Sequence, residues 1–379
     1  MTTLNILMLL STAFPPEEGI GNYVYNLSTK LVERGHKVSI ITRGGLKEET
    51  FEYNSLHVIK IPFIMAYPFH VDIHGLFVNK FLKTNAQNFD LIHVHMPLAP
   101  ALTKRLPIVT TFHTPHFADF YSTDLVDVNQ VMIKFLEIFD YRIEKALISS
   151  SNAITAVSEG VKLDLNRYYR INPEKVKVLG NAVSDRFLKV NPSLFSQKDP
   201  LKILYVGRFD YRKGLLDLIE SMKTVVRKVP QARLVLIGKG PLMSQVIKRV
   251  NELDLREKVE IKGFISRDEV LANYLSASIF VLPSHYEGMA TTSLEAMACG
   301  DALVATDVRG NSDVVVPDKT GLLVPKKEPI ALANAIINLL ENSDLKEILA
   351  KNARKLIAEE FTWQKVTDRV IEVYFKAIK

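Results

Sequence analysis

Short, nearly unbroken apolar runs recur along this chain. Each is followed by a turn rich in glycine or proline and then by an amphipathic stretch at helical period. Leu4–Leu10, Val38–Thr42, Leu56–Ile61, Asp90–His95, Ile108–Phe112, Ala153–Val157 and Val176–Leu179 predict strands in the first half. Lys202–Val206, Leu234–Ile237, Val259–Lys262, Ser278–Leu282, Leu303–Thr306 and Gly321–Pro325 predict strands in the second. Runs with little alternation suit strands covered on both faces, and strands alternating with helices argue a parallel sheet in each half. The first unit of the pattern is complete on its own: strand, a loop with Gly19 and Gly21, a helix from Asn22 to Arg34 that stops at Gly35, and a second strand. Ser158-Glu159 reads as a helix cap, and Trp363 to Ile378 as a closing amphipathic helix.

The polar, turn-rich stretch NPSLFSQKDP, 191–200, reads as a linker. It divides an α/β domain over 1–190 from a second over 201–361. A chain of 379 residues with 47% apolar and 24% charged positions has core material for two such domains. The net charge of +6 is not accompanied by a zinc knuckle, basic arm or stacking motif, so no nucleic-acid partner is expected. The opening MTTLNILMLL has no basic flank and reads as a buried first strand, not a signal peptide. Cys299 is the one cysteine, which excludes an internal disulfide framework and fits a reducing, cytoplasmic setting. A predicted helix over Val131–Leu147 carries Lys134, Arg142 and Lys145; it reads as a solvated face, with an acceptor or membrane surface as the alternative.

Candidate chemistry gathers at strand ends, where open α/β sheets bind ligands. The stretch PSHYEGMATTSLEAMACG, 283–300, places Glu287 in a turn and Glu295 eight residues later, inside a helix whose start falls at Ala290, Thr291, Thr292 and Ser293. Free N–H groups and the positive end of the dipole make such a start a phosphate site. Carboxylates only accept hydrogen bonds, which suits sugar hydroxyls. Glu-x7-Glu by itself is a weak pattern, since surface helices are rich in glutamate. Arg208 and Lys213 lie five residues apart between Gly207 and Gly214 in another strand-end loop, a cation pair suited to an anion. Gly238-Lys239-Gly240 and Gly263-Phe264-Ile265 follow two further strands. His93, His95, His113 and His116 invite a zinc reading, which lacks a His-x3-His helix or a cysteine partner; local hydrogen bonding is the more economical account.

The company of the two glutamates is more specific. Pro283-Ser284 before Glu287, Gly288 after it, and Leu-Glu-Ala-Met-Ala-x-Gly around Glu295 together resemble the donor-binding signature of the retaining glycosyltransferases of family four. Gly-Arg-x4-Lys-Gly at 207–214 is similar to that family's diphosphate clamp. The resemblance implies the GT-B fold, two Rossmann-like domains facing across a cleft, with the closing helix (362–379) returning to the first. It implies transfer of a hexose or N-acetylhexosamine from a nucleoside-diphosphate sugar, UDP favoured over GDP, to a hydroxyl of a glycan or lipid-linked acceptor. It further implies retention, no metal and no cofactor, with the nucleotide-sugar as substrate, in the cytoplasm or peripherally on its membrane face. On this reading Arg208, Lys213 and the backbone over Gly288, Met289, Ala290, Thr291 and Thr292 hold the diphosphate. Glu287 contacts the sugar and Glu295 the ribose. The backbone near Gly263, Phe264 and Ile265 contacts the base, Gly238 belongs to the donor site, Gly19 approaches the diphosphate, and His113 orients sugar or acceptor. The sequence departs from the family at Glu18, where relatives have a second glycine, and at Ala182 and Ser184, which replace Gly and Asp of an Asn-Gly-Val-Asp turn; that turn reads as the exit from the first domain, with no specific contact. The rivals are a nucleotide-sugar 2-epimerase and a non-catalytic sugar-nucleotide-binding subunit.

Overall fold

A computed structural model describes residues 2–16, 19–118 and 141–379. The expectations attached to Glu18, to Lys134 and to the start of the 131–147 helix lie outside the described residues; 141–150 are helical. The chain forms two compact units, Met1–Asn181 with Trp363–Lys379, and Ala182–Thr362.

The first unit is built on an eight-stranded sheet. Its strands are β1 (Asn5–Leu9), β2 (Lys37–Gly44), β3 (Glu49–Tyr53), β4 (Leu56–Pro62), β5 (Leu91–Met96), β6 (Ile108–Phe112), β7 (Ala153–Ala156) and β8 (Val176–Val178), in the order β3-β4-β2-β1-β5-β6-β7-β8. All neighbours are parallel except β3 and β4. Every residue of β5 and β6 is buried, the polar His93, His95, Thr110 and Thr111 among them. Helix α1 (Gly19–Glu33) follows β1, and the C-terminal helix Trp363–Ile378 packs beside it. That helix buries Trp363, Val366, Val370 and Tyr374 on the unit its chain left at Asn181. Ser158 accepts from the Val161 N–H, the cap its sequence predicts.

Two elements were illegible in the sequence. Strand β3, ETFEY, is polar, and its pairing is fixed by a tight turn with positive φ at Asn54 and Ser55 (47° and 65°). Helix α2 (His70–Asn85) has its helical period blurred by apolar residues on both faces.

The second unit is a six-stranded, wholly parallel sheet ordered β11-β10-β9-β12-β13-β14. Its strands are β9 (Lys202–Val206), β10 (Arg233–Ile237), β11 (Val259–Gly263), β12 (Ile279–Leu282), β13 (Ala302–Thr306) and β14 (Leu322–Val324). One apolar core lies on each side of the sheet, alternate residues of β9 and β12 feeding each in turn. No helix among the described residues is long and apolar enough to cross a membrane.

The units divide at Asn181/Ala182, at the turn read from the sequence as the exit from the first domain; residues 191–200, read as the linker, belong to the second unit. Pro192–Gln197 forms a 3₁₀ turn, and the Lys198 ammonium donates to the carbonyls of Tyr274 (2.8 Å) and Ala277 (2.7 Å) while pairing with the buried Asp301 carboxylate. Burial pushes the Asp301 carboxyl up to about 7, with Lys198 opposing that rise. A polar segment looks like a tether in sequence, but one lysine with a buried carboxylate and two carbonyls to bond fastens it down.

Candidate functional site

In the second unit β9 and β12 are neighbours, yet the chain continues from β9 toward β10 on one side and from β12 toward β13 on the other. Such a switch point opens a crevice at the carboxyl ends of its two strands. The loops leaving those strands are Gly207–Gly214 and Pro283–Ala290, and they are joined at several points. The His285 N–H donates to the Arg212 carbonyl at 2.7 Å. Gly214 has φ +61°, and a Cβ there would run into the Pro283 carbonyl, its carbon 2.9 Å away. Only glycine permits both the conformation and the approach. Gly214 also opens helix α3 (Leu215–Lys228), so Lys213 sits fixed at the mouth of the crevice.

From there the Lys213 ammonium donates to Glu287 Oε1 at 2.6 Å, and the Ser284 hydroxyl donates to the same oxygen at 2.6 Å. Glu287 is 7% exposed. Burial acts to raise its carboxyl, but the charges of Lys213 and Arg212 and the bonds from Lys213 and Ser284 outweigh it and hold the group below the ordinary range. Gly310 backs this loop: a Cβ there would lie 2.7 Å from the Glu287 carbonyl carbon and 2.8 Å from that of Gly288.

Helix α4 (Thr291–Ala298) starts directly after Gly288 and Met289. Its cap residue, Ala290, offers no side-chain acceptor, and its first turn holds no acid. Among the described residues no side chain caps its leading N–H groups, and Thr291 and Thr292 lie half-buried beside them. Glu295, one turn on, is buried and takes the Arg267 guanidinium on Oε1 at 2.9 Å and the Tyr274 hydroxyl on Oε2 at 3.1 Å. Burial raises its carboxyl above the ordinary value, with Arg267 and Tyr274 opposing.

The remaining predicted residues of this unit border the same loops. Arg208 is 59% exposed and turns its Nε to Asp210 at 3.4 Å. Gly238 has φ +144° and abuts the Gly207 carbonyl; its N–H donates to the Gly263 carbonyl at 2.8 Å. Phe264 is exposed with the Lys239 ammonium 4.3 Å from its ring centroid, while Ile265 packs partly into the core. Lys213 and Glu287 are thus in direct contact, whereas Glu295 has its own partners and Arg208 contacts neither glutamate. Sequence reading missed Arg267, Tyr274 and the His285–Asp217 pair (2.6 Å) that straps the signature loop to α3. Ser284 was quoted only as context, although a hydroxyl three residues before a buried glutamate is a readable signal.

Gly19 and His113 belong to the first unit. Gly19, with φ +54° and no other described residue within 4 Å of where a Cβ would be, begins α1. His113 follows β6 and forms a buried cluster with His93 and His95 of β5. His113 Nε2 meets His95 Nδ1 at 3.2 Å, and the rings of His93 and His95 lie 4.1 Å apart. His93 bonds Tyr374 on the C-terminal helix and Thr111 on β6, both at 2.6 Å. His116 contributes its backbone N–H to the Glu144 carboxylate. Local hydrogen bonding is what the described geometry of these histidines displays.

Burial lowers His93 and His113 to about 3 and His95 well below its usual value, so the folded cluster is neutral. Above pH 6.5 the unfolded imidazoles are neutral too and the difference vanishes. Below it the unfolded state binds protons that the folded state refuses, so stability falls as pH drops. The slope approaches ~1.4 kcal/mol per pH unit for each histidine, about 4 for all three. Trp363, the one tryptophan, packs on Tyr23 (5.0 Å), which packs on His113 (4.7 Å), and so reports this unit. Urea unfolding followed by its fluorescence is expected to shift steeply to lower midpoint between pH 6.5 and 5, and to flatten when the three histidines become glutamine. An unchanged midpoint down to pH 5 would contradict the neutral cluster.

Comparison with known proteins matches both units. Residues 18–187 fit the model of Glycosyltransferase Family 4, and residues 189–356 fit that of Glycosyl transferases group 1. An uncharacterized glycosyltransferase of Methanocaldococcus jannaschii is 25% identical over 97% of this chain and 97% of its own. The sucrose-phosphate synthase of Thermosynechococcus elongatus superposes with a TM-score of 0.82 at 22% identity, covering 98% of each chain. Anabaena HepE in complex with UDP and glucose superposes with a TM-score of 0.73 at 17% identity, covering 98% of this chain and 99% of that one.

Proposed function

Since this chain belongs to glycosyltransferase family four, with the GT-B fold, we propose that it moves a hexose or N-acetylhexosamine from a nucleoside-diphosphate sugar, UDP favoured, to an acceptor hydroxyl, with retention and without a metal. One observation carries the donor assignment: Lys213 and Glu287 meet at 2.6 Å in the switch-point crevice, beside a helix start with no acid in its first turn and no side-chain cap among the described residues. As the anomeric bond breaks, negative charge builds on the departing diphosphate. Lys213, Arg208 and the first turn of α4 stabilise that charge most where it is largest, in the transition state. Glu287, kept ionised by its cations, accepts from sugar hydroxyls and is well placed for developing positive charge on the ring. Glu295 has lone pairs beyond those used by Arg267 and Tyr274, and these take the ribose hydroxyls. The exposed Phe264 ring beside Gly263 offers a face to the base. His113, neutral and buried, orients the sugar or acceptor. HepE, which holds UDP and glucose, supports the uridine preference.

A thermal-shift panel of UDP- and GDP-sugars tests this reading. A bound donor at a hundred times its Kd stabilises by about 2.7 kcal/mol. UDP-sugars are expected to raise the melting temperature, and Glu295→Gln to raise KM for the donor about thirtyfold with a smaller change in kcat, since the ribose contact is made equally before and during reaction. Absence of a shift with every nucleotide-sugar would remove the donor assignment. Conversion of UDP-N-acetylglucosamine to its epimer, with no transfer, would replace it.

A further inference from the structure

We propose that Arg267 is a specificity-determining residue of the nucleotide-sugar site: its guanidinium donates a hydrogen bond to the ribose 2′-hydroxyl while Glu295 accepts one from it. This rests on the transfer reading above and adds a second group to the ribose contact. All the residues concerned belong to the second unit. A guanidinium carries five N–H groups. Arg267 commits one of them, from Nη2 to Glu295 Oε1 at 2.9 Å, and among the described residues the others have no hydrogen-bond partner. The Arg267 side chain is 46% exposed, that of Glu295 6%. A guanidinium present only to neutralise a buried carboxylate is best used as a two-pronged fork. Here a single prong reaches the carboxylate and the rest stays accessible beside it. The neighbouring acid does not compete, because Asp268 pairs with Arg186.

Arg267 is also anchored. It opens the helix Arg267–Ser276, whose start is locked by a reciprocal cap: the Glu269 N–H donates to the Ser266 hydroxyl at 3.3 Å, and the Ser266 N–H to the Glu269 carboxylate at 2.9 Å. The guanidinium lies 5.6 Å from the Phe187 ring centroid, an aromatic support beneath the charge. Its place in the chain selects the hydroxyl. Strand β11 ends at Gly263, Phe264 presents its ring to the base, and Arg267 follows three residues later on the same connection. The diphosphate is assigned to the start of α4, the same helix that carries Glu295. In a nucleotide the 2′-carbon adjoins the carbon that bears the base, so a cation arriving from the base side meets the 2′-hydroxyl. A hydroxyl both gives a proton and accepts one. A carboxylate and a guanidinium side by side satisfy it in both directions, which a 2′-hydrogen cannot match. Hydrogen bonds to charged groups contribute about ten- to a hundredfold in binding. Without the 2′-hydroxyl Glu295 and Arg267 still hold each other, so no buried charge is stranded. The preference for ribose is therefore expected to be about thirtyfold, not the roughly ten-thousandfold of a site left unpaired.

The test is isothermal titration of the full chain with UDP and 2′-deoxy-UDP, and with GDP and 2′-deoxy-GDP as a second pair. Wild type is expected to prefer the ribose form of the pair it binds by about thirtyfold. Arg267→Ala alone leaves the buried Glu295 carboxylate without its cation, so the deciding comparison is made in Glu295→Gln, where no charge is buried and a circular-dichroism melt verifies the fold. Adding Arg267→Ala to Glu295→Gln is expected to weaken the ribose nucleotide about fivefold more and to leave its 2′-deoxy counterpart unchanged. A guanidinium that serves only Glu295 has no effect in that background, or the same effect on both nucleotides. Either result overturns the proposal and leaves the transfer reading standing. Wild type that binds neither pair overturns both.

Discussion

Lys213→Ala is expected to lower kcat/KM for sugar transfer about a thousandfold, some 4 kcal/mol of transition-state stabilisation. The reason is positional. Lys213 is fixed by the Gly214 turn and by its 2.6 Å bond to Glu287, so its charge already waits in the crevice when the diphosphate begins to leave. Donor affinity is expected to change much less than rate, because the interaction strengthens as charge develops. The same substitution also strands the Glu287 carboxylate in a buried site, which costs about 3–5 kcal/mol of stability. The two effects separate in the double variant Lys213→Ala/Glu287→Gln, which is expected to recover most of the stability and none of the rate. The pH dependence has a definite sign. Glu287 is depressed in the folded protein, so the stability contributed by the pair is present above the ordinary carboxyl range and lost as pH falls through the lowered value. In Lys213→Ala burial prevails, the carboxyl rises, and stability is lost as pH increases. A Lys213→Ala enzyme keeping a tenth or more of wild-type kcat/KM would exclude the lysine from the chemistry.

Gly238→Ala is expected to be the most damaging single-methyl change to the second unit. At φ +144° an L side chain is strained, and the added Cβ would collide with the Gly207 carbonyl while lying 2.9 Å from its carbon and 3.1 Å from the Phe209 ring. Backbone occupies that space, so relief requires moving the loop that carries Arg208 and Lys213. The expected cost is about 3 kcal/mol, or roughly 6–12 °C in melting temperature for a unit of this size, with activity lost alongside. Gly35→Ala is the matched control: φ is +84° but nothing lies within 4 Å, so strain alone acts and about 1–2 kcal/mol is lost. Equal effects of the two substitutions would show that the close approach of the loops does not matter.

Most strands of both sheets were legible as apolar runs, because a strand covered on both faces leaves an almost continuous hydrophobic signature. The polar strand β3 and the doubly apolar helix α2 were not, since one is held by its turn and the other shows no clean period. The stretch 191–200 was read as a linker because composition registers that it is polar and cannot register that Lys198 finds Asp301, a partner 103 residues away.

The order of elements, the two-unit plan and the residue types at strand ends were determined by local sequence: periodicity, glycine placement and motif spacing are properties of neighbouring residues. Partnership in the site was decided only by tertiary structure. Lys213 and Glu287 come from different βα units, and Glu295 comes from a different unit than Arg267 and Tyr274, which share the helix Arg267–Ser276; no spacing rule relates the partners across units. Parallel crossovers place β9 beside β12, glycines let their loops touch, and the contacts that follow depend on three-dimensional register, which a linear pattern does not contain.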